Sequence, residues 1–269
     1  INSDGRMDVA YAGDLKGNLW KFDLTSKTAA DWGVAVWGGT NTTPCTNSAN
    51  ECTPLFTASH SGKRQGITAA PTVKANDRGA GGLMVAFGTG VNFNDDDGKS
   101  TDVQSVYSVL DNTKYKLIDG GKLVAVNTNL EANPIVNPDG VGAIPATVTL
   151  ANLVEQNLSS PTAIAGQGKS AAREFWNVTQ NTVTYTGPVA GQKKGWYLHF
   201  PESRERVLKP MGFFDGSNNL TVFSTAPAFT GTATGEESCA PAGTNEKAYL
   251  TLMNIMDGKK PSVQIMDAN

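Results

Sequence analysis

Residues 2–24 read NSDGRMDVAYAGDLKGNLWKFDL and set two local structures in tandem. The second of them, Tyr11-Ala-Gly-Asp14-x-x-Gly17-Asn18-Leu-Trp20-x-Phe22-Asp23, is a hairpin pattern: a strand ending in small residues, a Gly/Asp turn, then an alternating aromatic strand. Asp14 can cap the turn through nearby backbone, and Gly17 can supply the positive φ such a turn requires. Trp20 and Phe22 lie two apart, share a face, and are expected to fill the space between neighbouring sheets. The first structure, Asn2-x-Asp4-Gly5-x-x-Asp8, puts oxygen ligands at alternate positions with a glycine at the sharp turn, as a calcium loop does. Asn2, Asp4 and Asp8 would bind through side chains and Arg6 through its backbone carbonyl. In that register the first ligand would precede Ile1, and Tyr11 stands where an EF-hand needs Glu, so the loop leads into a strand. An ordinary Asx-rich turn is the alternative. A chain that opens inside a motif is expected to be a segment of a longer, processed or truncated one.

Composition narrows the class. The 269 residues carry a net charge of -3, which argues against a nucleic-acid footprint. Charged residues are 17% while Gly, Asn, Thr and Ser abound, as suits a turn-rich extracellular β protein. No run of 18 apolar residues occurs. Cys45 and Cys52 bracket a polar loop and can close into a disulfide, pointing to an oxidising compartment; two reduced thiols are the alternative. Zinc there would need more ligands, and the nearest histidine, His60, stands alone in the sequence. Cys239 is left odd, either unpaired or paired outside this segment.

Periodicity predicts an all-β fold. Candidate strands are 8–12, 19–23, 83–88, 105–111, 122–127, 182–185, 195–200, 220–225 and 249–256; the best helix candidate is 170–176. Three segments resemble one another: Leu19-Trp20-Lys-Phe22-Asp23, Val106-Tyr107-Ser-Val109-Leu-Asp111 and Thr251-Leu252-Met-Asn-Ile255-Met-Asp257. Each alternates large apolar with small or polar residues and ends near an Asp and a tight turn, the pattern of a four-stranded propeller blade. The 87 residues between Trp20 and Tyr107 require long insertions, and two are expected at 40–63 and 131–169. The second reads either as a partner-binding excursion or as a poorly constrained loop.

Other constellations carry less chemistry. Asn94-Asp95-Asp96-Asp97 with Asp102 reads as a solvated loop tip rather than a second ion site. Residues 163–170 match a loose phosphate-loop pattern but lack a buried strand before them, so the match is read as chance. His199 alternates with aromatics and is read as a packing or strand-surface residue, and no Gly-x-Ser-x-Gly elbow exists. Glu205 and Arg206 could be an acid and an electrophile; a structural polar pair is favoured. No catalytic residue and no organic cofactor site is assigned.

The strings DGRMDVAYAGDLKGNLWKFDL, QGITAAPTV, VAFGTG, VQSVYSVLD and GWYLHFPESRERVL resemble, in order, the C-terminal propeller of the PilY/PilC-type tip proteins of type IV pili. The resemblance implies a modified β-propeller with quinoprotein-like blades, here an incomplete ring with long insertions spanning 1–269 as one segment. It implies a calcium loop on Asn2, Asp4, Arg6 and Asp8, with Ca2+ as the cofactor and the first ligand outside the chain. It implies a non-enzymatic role in pilus extension against retraction, twitching motility, adhesion and virulence. The implied partners are minor and major pilins and the host-cell surface. The implied location is the pilus tip, cell surface or outer membrane, reached through the periplasm. No Arg-Gly-Asp motif is present. Rival readings are a quinoprotein dehydrogenase, for which the vicinal Cys pair is missing, and an envelope scaffold propeller.

Overall fold

The computed structural model describes residues 5–24, 29, 32–34, 54–112, 114–118, 122–126, 148–164, 173–188, 191–227 and 247–262. The first sheet is built on the hairpin of β1 (Val9–Gly13) and β2 (Asn18–Asp23), which pair antiparallel with Ala12 opposite Trp20. β3 (Gly33–Val34) and β4 (Phe56–Thr57) pair with the two ends of β2. A separate hairpin of β5 (Ser59–His60) and β6 (Lys63–Arg64) follows. Ser61 and Gly62 both take positive φ between those strands, 48° and 79°, the signature of a tight two-residue hairpin turn.

The central sheet has β7 (Thr72–Ala75), β8 (Leu83–Gly88) and β9 (Ser105–Asp111) as an antiparallel meander. A one-turn helix, α1 (Asp95–Lys99), interrupts the crossing from β8 to β9. β10 (Lys114–Ile118) and β11 (Lys122–Val126) form their own hairpin. β12 (Val154–Gln156) lies parallel to β15 (Gly195–His199), which in turn pairs antiparallel with β9, giving the order β12-β15-β9-β8-β7. β13 (Thr162–Ile164) and β14 (Arg173–Phe175) make a small hairpin. The third sheet is β16 (Gly212–Phe213), β17 (Asn219–Ala226) and β18 (Lys247–Asn254), in that order.

The central sheet is apolar on both faces, and this decides the architecture. Every residue of β9 is buried. Val85, Phe87, Tyr107 and Val109 pack with Leu19, Leu55, Phe56 and Ile67 of the first sheet and its neighbouring segments. The alternate residues Met84, Ala86, Val106 and Leu110, with Trp196 and Leu198, pack with Leu220, Val222 and Met253 of the third sheet and with Ile255 just beyond it. Burying both faces of one antiparallel sheet requires a sheet on each side, as in successive propeller blades. Two glycines mark the close approaches. A Cβ on Gly17 would lie 2.7 Å from the Gln65 carbonyl oxygen, and one on Gly258 would lie 2.6 Å from the Trp196 ring.

The first two look-alike segments fall on β2 and β9, and the third begins on β18 and runs into the turn that follows it, one in each stacked sheet. Several expectations are corrected. The sequence predicts a helix over 170–176; of its described residues, Arg173–Phe175 form a strand paired with β13 and Trp176 follows it without regular structure. Residues 182–185 form no strand, and Tyr185 instead buries its ring and donates its hydroxyl to the Met256 carbonyl at 2.5 Å. In the described part of the 40–63 insertion, Leu55, Phe56 and Ala58 are buried core. The described part of 131–169 likewise supplies β12 to the central sheet. Trp20 and Phe22 are only half-buried, and the opposite face of β2, with Leu19 and Lys21, turns into the neighbouring sheet. Cys45, Cys52, Cys239, residues 40–53 and 131–147, and most of the phosphate-loop-like run lie outside the described residues.

Candidate functional site

The entry loop reaches the first sheet through Gly5, whose φ of +80° supplies the sharp turn expected of an ion loop. Arg6 is exposed and Asp8 is buried; the Asp8 carbonyl accepts the Leu24 N–H at 2.9 Å, tying the loop to the end of β2. Asn2 and Asp4 lie outside the described residues. The donor set of Asn2, Asp4, the Arg6 carbonyl and Asp8 is all oxygen and suits a hard cation such as Ca2+. Among the described residues no group of three or more His, Cys, Asp or Glu is placed to hold a metal.

Asp14 organises the hairpin. Its Oδ1 accepts the N–H groups of Lys16 and Asn18 at 2.8 Å each, and its Oδ2 accepts Asn18 Nδ2 and Trp20 Nε1 at 2.9 Å each. Burial alone would raise its pKa, but the hydrogen bonds from Trp20, Asn18 and Lys16 outweigh it and hold the carboxyl below the usual range. Trp20 is therefore first an indole donor to this turn.

One polar contact crosses between sheets inside the core. Lys21 on β2 and Asp111 at the end of β9 form an ion pair of 2.6 Å with both side chains 2% exposed. The Tyr11 hydroxyl donates to the same Asp111 oxygen at 2.5 Å. Lys21 can face inward because its charge meets a carboxylate there. Its methylenes then pack like an apolar side chain.

A second polar cluster gathers the chain's two histidines. His60 on β5 and His199 at the end of β15 stand edge to face, ring centres 4.5 Å apart. A 2.6 Å hydrogen bond joins Ser105 Oγ to His199 Nδ1. Gln65 Nε2 donates to Ser105 Oγ at 2.8 Å and to the Val103 carbonyl at 2.6 Å, while Gln65 Oε1 accepts the Tyr107 hydroxyl at 2.5 Å. Burial, then the neighbouring His60, push His199 down to about 4. Ser105 is fully buried, which leaves it no approach for a substrate as a nucleophile. Nothing local in the sequence links the two histidines; they meet because the β5–β6 hairpin packs beside the end of β15.

Glu205 and Arg206 are both buried but do not form the expected pair with each other. Glu205 accepts the Ser224 hydroxyl at 2.5 Å, and burial raises its carboxyl to about 7. Arg206 donates to the carbonyls of Val91 and Asp97 at 2.6 Å, Ser100 at 3.1 Å and Arg204 at 3.0 Å. Its guanidinium thus sits where the 91–100 loop turns its carbonyls inward, an organising cation. The acidic tip of that loop is spent on itself: Asn94 caps α1, and Asp97 Oδ2 accepts the N–H groups of Phe93 and Asn94. An open groove beside Pro161, Trp176 and Tyr249 is also occupied by its own groups, since Glu202 accepts the Tyr249 hydroxyl at 2.8 Å and pairs with Lys247.

Stacked antiparallel sheets, an aspartate-centred hairpin and a core continuous through both faces of the middle sheet define the class: a β-propeller segment whose described strands do not close a ring. Residues 1–133 match the family model of the PilY1 beta-propeller domain. The Type IV pilus biogenesis factor PilY1 of Pseudomonas aeruginosa is 32% identical over 210 residues, 74% of this chain and 15% of that protein. A PilY1 homolog of Xylella fastidiosa is 34% identical over 111 residues, 41% of this chain and 7% of that protein. The crystal structure of the Pseudomonas aeruginosa PilY1 C-terminal domain superposes with a TM-score of 0.65 at 24% identity, covering 97% of this chain and 46% of that one. The chain is a PilY1-type β-propeller segment, and it spans only a small fraction of the curated relatives' length.

Proposed function

We propose that this chain is the propeller portion of an exported, non-enzymatic type IV pilus biogenesis factor that works through protein contacts at the cell surface. The observation that carries the reading is the match to PilY1 over 74% of the chain, together with a shared fold over 97% of it. The pilins at the pilus tip are the partners, and support of extension against retraction, and so of twitching motility and surface or host adhesion, is the role. The polar clusters support a scaffold: Asp14, Arg206 and Glu202 each spend their charge on neighbouring turns and strands. The test exchanges the matched 210 residues into Pseudomonas aeruginosa PilY1 and scores surface pili and twitching. Restored piliation supports the reading, and a stable, exported chimera that leaves the cells bald refutes it.

Ca2+ at Asn2, Asp4, Arg6 and Asp8 is the proposed regulatory ion. It would pin the entry loop to β1 and set the conformation that partners read. Gly5's positive φ and the all-oxygen donor set support this. Thermal melts with and without Ca2+, on the chain extended upstream, would show stabilisation that Asp4→Ala and Asp8→Ala remove. Equal melting with and without the ion ends the calcium reading and leaves the propeller as a plain scaffold.

A further inference from the structure

The chain has two histidines, 60 and 199, and the fold brings their rings to 4.5 Å although 139 positions separate them. We propose that His60 and His199 form a two-imidazole site for a late first-row divalent cation of the Ni2+, Cu2+ or Zn2+ type, separate from the oxygen-donor loop at the start of the chain. Imidazole nitrogen suits these ions, whereas Ca2+ takes oxygen ligands.

Both donors sit on fixed backbone. His60 lies opposite Lys63 across the Ser61-Gly62 turn, whose two positive φ values leave the hairpin one tight geometry. His199 lies opposite Ser105 in the central sheet. With Nδ1–H donating to Ser105 Oγ, the His199 ring is oriented and the lone pair of Nε2 is left for the metal, and Gln65 holds Ser105 in turn. A ligating histidine held through its second nitrogen by a hydrogen-bonded partner is the arrangement metal sites use. Two imidazoles sharing one tetrahedral ion, at about 2.0–2.1 Å per metal–nitrogen bond, hold their ring centres roughly 5 Å apart. The observed 4.5 Å separation of the ring centres is close to that spacing. Waters would complete the coordination.

The surrounding charges permit a cation. Lys63, opposite His60 in the hairpin, is ion-paired to Asp102. The Tyr197 ring packs 5.0 Å from His199 and closes that side with an aromatic surface. An ion here would join the β5–β6 hairpin to the central sheet through coordination.

The test titrates the 269-residue chain, with any reduced cysteines alkylated, with Ni2+ alone by calorimetry at neutral pH, and repeats it in saturating Ca2+. One Ni2+ per chain is expected, insensitive to Ca2+ and weakened at least tenfold by His60→Ala. His60 is partly exposed, so this variant should keep the fold, which its melting curve checks. As an independent readout, Cu2+ bound to the unaltered chain should show electron-spin coupling to two imidazole nitrogens. Absence of Ni2+ uptake, equal affinity in His60→Ala, or Cu2+ coupled to one nitrogen or none would each overturn the proposal.

Discussion

Replacing Asp111 by alanine should unfold this chain's first two sheets from one another more effectively than any surface change. The Asp111 carboxylate pairs with Lys21 at 2.6 Å, and both side chains are 2% exposed. Removing it takes this carboxylate away from a buried ammonium, a loss of about 3–5 kcal/mol for one half of such a pair. The Tyr11 hydroxyl also loses its 2.5 Å acceptor, adding about 1 kcal/mol at a half-buried position. A domain of ordinary stability holds about 5–15 kcal/mol, so the variant should retain a much lower urea midpoint. Urea unfolding followed by fluorescence of the five tryptophans measures this. The double variant Lys21→Met with Asp111→Leu removes both charges and should recover most of the loss, because apolar replacement of a buried pair is commonly neutral or stabilising. A loss below about 1 kcal/mol in Asp111→Ala, or a double variant no better than the single one, would refute the argument that this pair is desolvated and joins the sheets.

Two further changes probe the local chemistry. Asp14→Ala strands four donors of the β1–β2 turn and should cost about 1–3 kcal/mol, with a shift in tryptophan emission as Trp20 loses its acceptor; unchanged emission and midpoint would count against Asp14 as the organiser. Glu205 is raised to about 7 by burial, so its folded form favours the proton, and its contribution to stability falls as pH rises from about 4.5 through 7. Glu205→Gln should remove that slope and raise the melting temperature at pH 8, with a ceiling of about 3 kcal/mol; parallel pH profiles for the two proteins would show that Glu205 does not titrate in this window. His199 acts in the opposite sense: held down to about 4, it is neutral in the fold, and its contribution, whole above about 6.5, is lost as pH falls toward 4. His199→Gln should flatten the acid side of the same profile.

The sequence by itself determined the local chemistry of the blades. Short apolar or alternating runs between turn residues marked the strands, so 83–88 and 105–111 coincide with β8 and β9. Turn chemistry made Asp14 and Gly17 readable, since an aspartate that caps and a glycine at positive φ act within a few residues. The ordered strings carried the family. What only the tertiary structure decided is which faces meet. β2 could have buried Trp20 and Phe22, but the sheet beside it offers Asp111, and so Lys21 turns inward. Arg173–Phe175 carries a weak helical signal that pairing with β13 overrides. Arg206 finds its partners among the backbone carbonyls of 91–100, which no side-chain pattern announces. His60 and His199 are a pair only because a hairpin and a sheet strand converge, and register between distant segments is a property of packing that local periodicity does not encode.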